Sequence, residues 1–394
     1  MVSGALAEVR PQGATRALTT RYLDFWLLGG ASIVVWAFMF ALHPMRRYSW
    51  AVDHHYANAF AISNTISLFV NYPHFMASYA LAYRKGWPFV RAHWMQLLLV
   101  PALLLAVLGW AYFLFERPSA ESPLVASANH FFERIGMRTR VGLSPFVGSE
   151  ILGLSVLAMY LTVGWHYTKQ VYGCMMVYAS FDGYPLGLPQ RTLIKWNLFG
   201  IWFLSFTSYN VATEPADFFG LRYFRLGLPH ATASLSAVFL VLTLAAVVFF
   251  VFGRIYEQHK RLPGLNMLVP YVAMYLWWVP LFVQNEYYMY VVPLFHSLQY
   301  LPFVYKMERA RNRELHAATP ERSGTLMIVG LVVAGFLFFE LAPNTADALF
   351  HTKEKMSLWY FFIAAQVFIN VHHYFIDNAL WRFKDPEVKK YLLA

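Results

Sequence analysis

The sequence predicts an all-α fold, a polytopic membrane helix bundle of about ten transmembrane helices. Three observations predict it. Only 13% of the residues are charged, whereas 58% are hydrophobic and 19% aromatic; an ordinary soluble domain carries about 25% charged residues. Apolar runs of about 20 residues, long enough to cross a bilayer as helix, recur along all 394 positions. Lys and Arg collect in the short connections between those runs, as membrane topology requires.

The expected spans are 22–42, 58–83, 94–115, 146–180, 192–213, 231–253, 264–284, 287–306, 324–342 and 357–381. The first follows a stretch, MVSGALAEVRPQGATRALTTRY, that is too polar for the apolar core of a signal peptide, so it reads as a retained span. The connection 116–145 is amphipathic through HFFERIGMRTR, which suits the membrane surface; the connection 214–230 suits the same place. No fixed-period repeat and no Gly/Ser linker divides the chain. The expected organisation is a cytoplasmic segment 1–21, one transmembrane bundle 22–381 and a cytoplasmic tail 382–394.

Orientation follows from the basic residues. With the N-terminus in the cytoplasm, 20 of the 31 Lys and Arg lie on that side and 10 on the other, with Lys169 inside a span. This places both termini in the cytoplasm of an integral inner- or plasma-membrane protein. Topology therefore accounts for the formal charge of +10, and no basic tract interleaved with aromatics suggests nucleic acid. A single cysteine, Cys174, excludes an internal disulfide and any multi-cysteine metal site.

Histidines occupy the interiors of four even-numbered spans: His74, His166, His296 and the pair His372 and His373. Their depths agree. His74 lies ten residues before Arg84, His296 ten before Lys306 and His372 ten before Arg382, about 15 Å of helix in each case. His166 lies sixteen before Asp182, in a longer span. Polar neighbours extend each into a helical stripe: Asn64, Ser67, Asn71, His74 and Ser78 in one span; Gln366, Asn370, His373 and Asp377 in another. Gln170 follows His166 by one turn, and Gln299 follows His296. Lipid cannot hydrogen-bond such stripes, so they must face a polar chamber inside the bundle.

Neutral imidazole is a good ligand for iron, zinc and copper. A ligating His usually gives its second ring nitrogen to an oxygen partner, and Asn71, Gln170, Gln299 and Asp377 are spaced to serve. A single intramembrane His is more often a hydrogen-bond partner between helices than a ligand. Several at one depth, where ionisable groups are rare, favour a site. Phe75, Tyr167, Tyr300 and Tyr374, beside the histidines, suit either the lining of a lipophilic tunnel or plain packing. His54 and His55 read as interfacial, the remaining histidines as loop or edge residues, and the spacing leaves Glu286 undecided between a helix start and the chamber.

Four short motifs resemble the Brp/Blh family of membrane beta-carotene 15,15'-dioxygenases: YPHF at His74, WHYTKQVYG at His166, LFHSLQYLPFVYK at His296 and HHYFIDNALWR at His372. Tyr300 stands where the family's third motif carries a second His, and no acidic residue follows His74. The motif favours His372 as ligand, five residues before Asp377; the helical stripe favours His373. The resemblance implies an iron-dependent enzyme that opens the central double bond of a carotene.

Together these readings lead to an expected function: a membrane-embedded oxidoreductase. It holds one or two non-heme iron (Fe2+) ions, uses dioxygen as co-substrate and acts on a lipophilic substrate from the bilayer. Carotenoid cleavage is one reaction; oxidation of a lipid or terpenoid, with an electron donor, is another. A proton- or metal-coupled transporter using the same chamber, or a membrane heme protein with axial histidines, are the alternatives.

Overall fold

A computed structural model describes residues 16–184, 186–281, 286–315, 320–382 and 385–393. It is all-α apart from one small hairpin. In chain order the main helices are α1 (Arg21–Arg47), α2 (Trp50–Ser67), α3 (Asn71–Tyr83), α4 (Met95–Phe113), α5 (Pro123–Arg134) and α6 (Val147–Phe181). Then follow α7 (Leu188–Val211), α8 (His230–His259), α9 (Leu265–Trp278), α10 (Glu286–Leu315), α11 (Thr325–Leu349) and α12 (Tyr360–Leu380).

Five of these, α1, α4, α6, α8 and α11, are long and apolar enough to cross a membrane. The expectation of ten spans is not supported, and the reasons are local. α3 has 13 residues and α9 has 14, too short at about 1.5 Å per residue to cross an apolar layer about 30 Å thick. α7, α10 and α12 carry the Arg, Lys, Gln, Asn and His residues that lower their apolarity.

The expected span 58–83 is two helices, interrupted between Ser67 and Asn71. Pro73 has no N–H for the carbonyl of Phe69, and a first turn is where a helix tolerates that loss. Its polar stripe is therefore split between α2 and α3. The side chains of Asn64 and Ser67 lie outside the described residues, as does that of Glu286. So do residues 1–15 of the expected N-terminal segment, and 383, 384 and 394 of the tail.

The connection 116–145 contains the largely exposed α5. The connection 214–230 contains a feature the sequence reading did not anticipate, an antiparallel pair of strands, β1 (Ala216–Phe218) and β2 (Leu221–Tyr223). Phe219 and Gly220 join them with φ of 52° and 85°, positive at both positions as a tight primed turn requires.

α6 is the most enclosed of the five apolar helices, with 61% of its apolar stretch buried against 11–28% in the others. Glycines let its neighbours approach. A Cβ on Gly148 would stand 2.2 Å from the Ala111 carbonyl of α4, and one on Gly164 would stand 2.2 Å from the Trp202 ring of α7. α6 also packs on α9 and α12, while α3 packs on α10, α11 and α12. Three apolar clusters result. One spans α1 and α6–α10, one spans α3, α4 and α10–α12, and one spans α4, α6, the hairpin and α12. The polar chamber sits where α3, α6, α10 and α12 meet.

Candidate metal centre

α3, α6, α10 and α12 each contribute one histidine: His74, His166, His296 and His373. The four are buried, at 0%, 3%, 2% and 0% exposure, and each offers one ring nitrogen such that all four lie within 4.8 Å of one another. His74 Nε2 is 2.8 Å from His373 Nε2, and His166 Nε2 is 3.0 Å from His296 Nε2. Nitrogens bonded at right angles to one metal, with bonds of about 2.1 Å, stand about 3.0 Å apart. The four nitrogens are grouped closely enough that they could hold a metal ion, and the two short pairs are also at hydrogen-bond distance. The outer Nδ1 atoms of His74, His296 and His373 have no hydrogen-bond partner. The Nε2 atoms are the ones that approach one another.

Aromatic packing holds the rings. Tyr167 stacks on His296 with centroids 3.8 Å apart and 14° between planes, and Tyr374 stacks on His166 at 4.6 Å and 24°. Phe75 meets His373 edge-on at 4.6 Å, and Tyr300 meets His74 at 4.3 Å. All four aromatics are buried. Each of the four lies against a histidine ring. Phe339 of α11 stacks on Tyr72 and touches Phe75, closing this side.

The expected outer partners act differently from the expectation. Gln170 Nε2 donates to the backbone carbonyl of His296 at 2.8 Å and to Gln299 Oε1 at 3.3 Å, and Gln299 Nε2 donates to the Leu28 carbonyl at 2.5 Å. Asn71 Oδ1 accepts from Ser297 at 2.7 Å. These amides tie α3, α6, α10 and α1 together by their backbones and neighbours, and none receives an imidazole N–H. One turn along a helix carries a side chain past the ring and onto the facing backbone.

Asp377 lies on the converging side of the rings instead of behind them. Its Oδ1 accepts from Ser78 at 2.6 Å and from Tyr300 at 3.1 Å. Its Oδ2 is 3.5 Å from His373 Nε2 and 3.9 Å from His166 Nε2. Trp381 donates its indole N–H to the Tyr300 hydroxyl at 3.0 Å.

His372 is not in the cluster. Its Nδ1 is 3.0 Å from the Tyr79 hydroxyl, and its ring packs against Phe368. Adjacent helical residues point about 100° apart, so α12 can aim only one of the pair at the cluster. Lys169 is also engaged elsewhere: it donates to Asn378 and lies 4.1 Å over the Trp165 ring.

Ser78, Tyr79 and Trp381 were not singled out for the site. Ser78 carried a signal, one turn after His74 in the polar stripe. Tyr79 and Trp381 are amphipathic aromatics of a kind common at membrane interfaces, and nothing in their spacing set them apart.

The chain matches no family model, no curated protein and no solved structure. The likeness to the beta-carotene dioxygenases therefore stands on the four motifs alone.

Proposed function

We propose that the chain is an integral membrane oxygenase, set in the inner or plasma membrane. Non-heme iron is held by His74, His166, His296 and His373, and the substrates are dioxygen and a lipophilic molecule drawn from the bilayer. The observation that carries this reading is the convergence of four buried imidazole nitrogens from four helices. The Nε2 atoms of these buried rings pair two by two, and one shared ion would satisfy all four together; an all-nitrogen set without cysteine suits an exchangeable catalytic ion better than structural zinc. One cluster of this size supports one ion per chain.

Iron bound there supplies a Lewis-acid and one-electron redox centre. The chain's own residues do the rest. Tyr167 and Tyr374 fix two ring planes by stacking, Phe75 and Tyr300 fix two by edge contacts, and the surrounding apolar clusters exclude water. Heme fits less well, because a porphyrin brings its own four nitrogens to positions the histidines already occupy. Among reactions, carotenoid cleavage has the support of the motif likeness and consumes dioxygen with no further reductant. Hydroxylation of a lipid or terpenoid needs an electron donor as partner.

Metal content measured by mass spectrometry on detergent-purified protein tests the reading, with an absorption spectrum beside it. About one iron per chain, lost in His296→Ala, with no Soret band, supports it; oxygen uptake on adding beta-carotene or a membrane lipid then selects the substrate. A folded wild type that neither contains nor takes up a metal overturns it and favours transport.

A further inference from the structure

We propose that Asp377 supplies a fifth ligand, through Oδ2, to the ion held by the four histidines. The inference rests on the metal reading above and goes beyond the role of ring-orienting partner that the sequence suggested for this carboxylate.

Position is the first argument. A carboxylate that orients a ligating imidazole sits at the nitrogen facing away from the metal. Asp377 Oδ2 instead lies 3.5 Å and 3.9 Å from two of the converging Nε2 atoms. The outer Nδ1 of His373, where an orienting carboxylate would stand, has no hydrogen-bond partner. Two donors on one ion at right angles are about 3.0 Å apart, so closure by less than an ångström brings Oδ2 to that spacing from His373 and His166.

Helix geometry is the second. His373 and Asp377 are four residues apart on α12. Side chains at that spacing share one face and can reach the same ion, as two histidines do in metalloprotease helices.

The hydrogen bonds of the other oxygen are the third argument. Ser78 and Tyr300, from α3 and α10, both donate to Oδ1. They hold the carboxylate end-on, with Oδ2 directed at the cluster. Two of the four histidine-bearing helices thus serve Asp377 as well as their own imidazoles.

Charge is the last. Four neutral imidazoles leave a divalent ion with its full charge inside an apolar bundle, where an uncompensated charge is costly. Asp377 is 7% exposed and is the carboxylate in contact with the cluster. A set of four nitrogens and one anionic oxygen suits iron or manganese better than copper(I).

The test uses the full chain in detergent, stripped with a chelator and titrated with Co2+ under argon. Four-coordinate tetrahedral Co2+ absorbs strongly in the visible, and five- or six-coordinate Co2+ weakly. Wild type should bind one Co2+ with the weak bands. Outer partners of a ligand contribute about 10–100-fold to metal affinity; Asp377→Asn should therefore weaken binding by more than about 100-fold and change the bands, while Gly109→Ala, with nothing within 4 Å of its added Cβ, keeps the wild-type bands. Asp377→Asn with unchanged bands, and affinity lowered by no more than the roughly 100-fold that an outer partner contributes, overturns the fifth ligand and leaves the four-histidine site standing. Wild type that takes up no Co2+ overturns both. Circular dichroism checks folding. If Asp377→Asn does not fold, Asp377→Glu replaces it: shifted bands with retained binding support the ligand, and bands identical to wild type overturn it.

Discussion

His74 Nε2 and His373 Nε2 lie 2.8 Å apart although 299 positions separate the residues in the chain. The contact joins α3 to α12 at the centre of the bundle, and the adjacent His372 faces Tyr79 instead. This separates two neighbouring residues by function. His373→Ala should abolish metal retention, measured as bound iron per chain after gel filtration, and His372→Ala should leave it near wild type. Equal loss in both would contradict the assignment of His373 as the ligand.

Tyr167 lies flat on His296 at 3.8 Å. Removing the ring leaves His296 free to rotate, while removing the hydroxyl does not. Tyr167→Ala should weaken metal binding about 10–100-fold, the range seen when a ligand loses its outer support. Tyr167→Phe should bind within a factor of about two to three of wild type. A metal titration of the two variants side by side decides it.

Asp347 is 1% exposed and caps the start of α12, the helix that carries His373. It accepts from Phe361 N at 2.8 Å, from Phe362 N at 2.9 Å and from Thr352 Oγ1 at 2.5 Å. Asp347→Ala leaves the buried Thr352 hydroxyl and the part-buried Phe361 and Phe362 N–H groups without this acceptor, at a cost of about 1–3 kcal/mol. The expected result is a lower thermal midpoint in detergent, with the metal lost at the same temperature as the helical signal.

Gly148 admits the backbone of α4 against α6, where an added Cβ would stand 2.2 Å from the Ala111 carbonyl and 2.9 Å from Phe115 N. Backbone cannot move aside as a side chain can. Gly148→Ala should destabilise by about 1–3 kcal/mol through overpacking. Gly109→Ala, with nothing within 4 Å of its Cβ, should not destabilise, and comparative thermal melts test the pair.

The C-terminal segment is held at the exposed end of α10, where Glu314 accepts from Lys390 at 2.6 Å and from the Tyr391 hydroxyl at 3.0 Å. The hydrogen bond from Lys390, then that from Tyr391, holds the Glu314 carboxyl below its ordinary value of 4.5. The same hydrogen bond raises Lys390 above 10.5. A depressed carboxyl contributes above its unfolded value and is lost as pH falls through its folded one; a raised amine contributes below its unfolded value and is lost as pH rises through its folded one. Attachment should therefore persist between about pH 4.5 and pH 10.5 and loosen outside that window. Hydrogen exchange of residues 385–393 across pH reads it, after correction for the intrinsic rate.

Much of the site was legible because helices convert spacing into direction. The stripe of Gln366, Asn370, His373 and Asp377 marked one face of α12, and the common depth of three histidines marked one level in the bundle. The stripe pointed to His373 and the motif likeness to His372. Nothing in the residues could choose between them, because the choice depends on how α12 is rotated against α3, α6 and α10. The three amides Asn71, Gln170 and Gln299 were legible as polar and buried, yet their partners were not. An amide bonds whatever the neighbouring helix presents, and here that is a backbone carbonyl or another side chain.

By itself the sequence determined the all-helical, membrane-type character of the chain and the set of histidines that could meet, because both follow from composition and from the 3.6-residue period. Tertiary structure alone decided the rest. It turned His372 towards Tyr79 and set the Asp377 carboxylate on the converging side of the rings. Those outcomes depend on helix rotation and on contacts between residues more than a hundred positions apart, which local spacing does not encode.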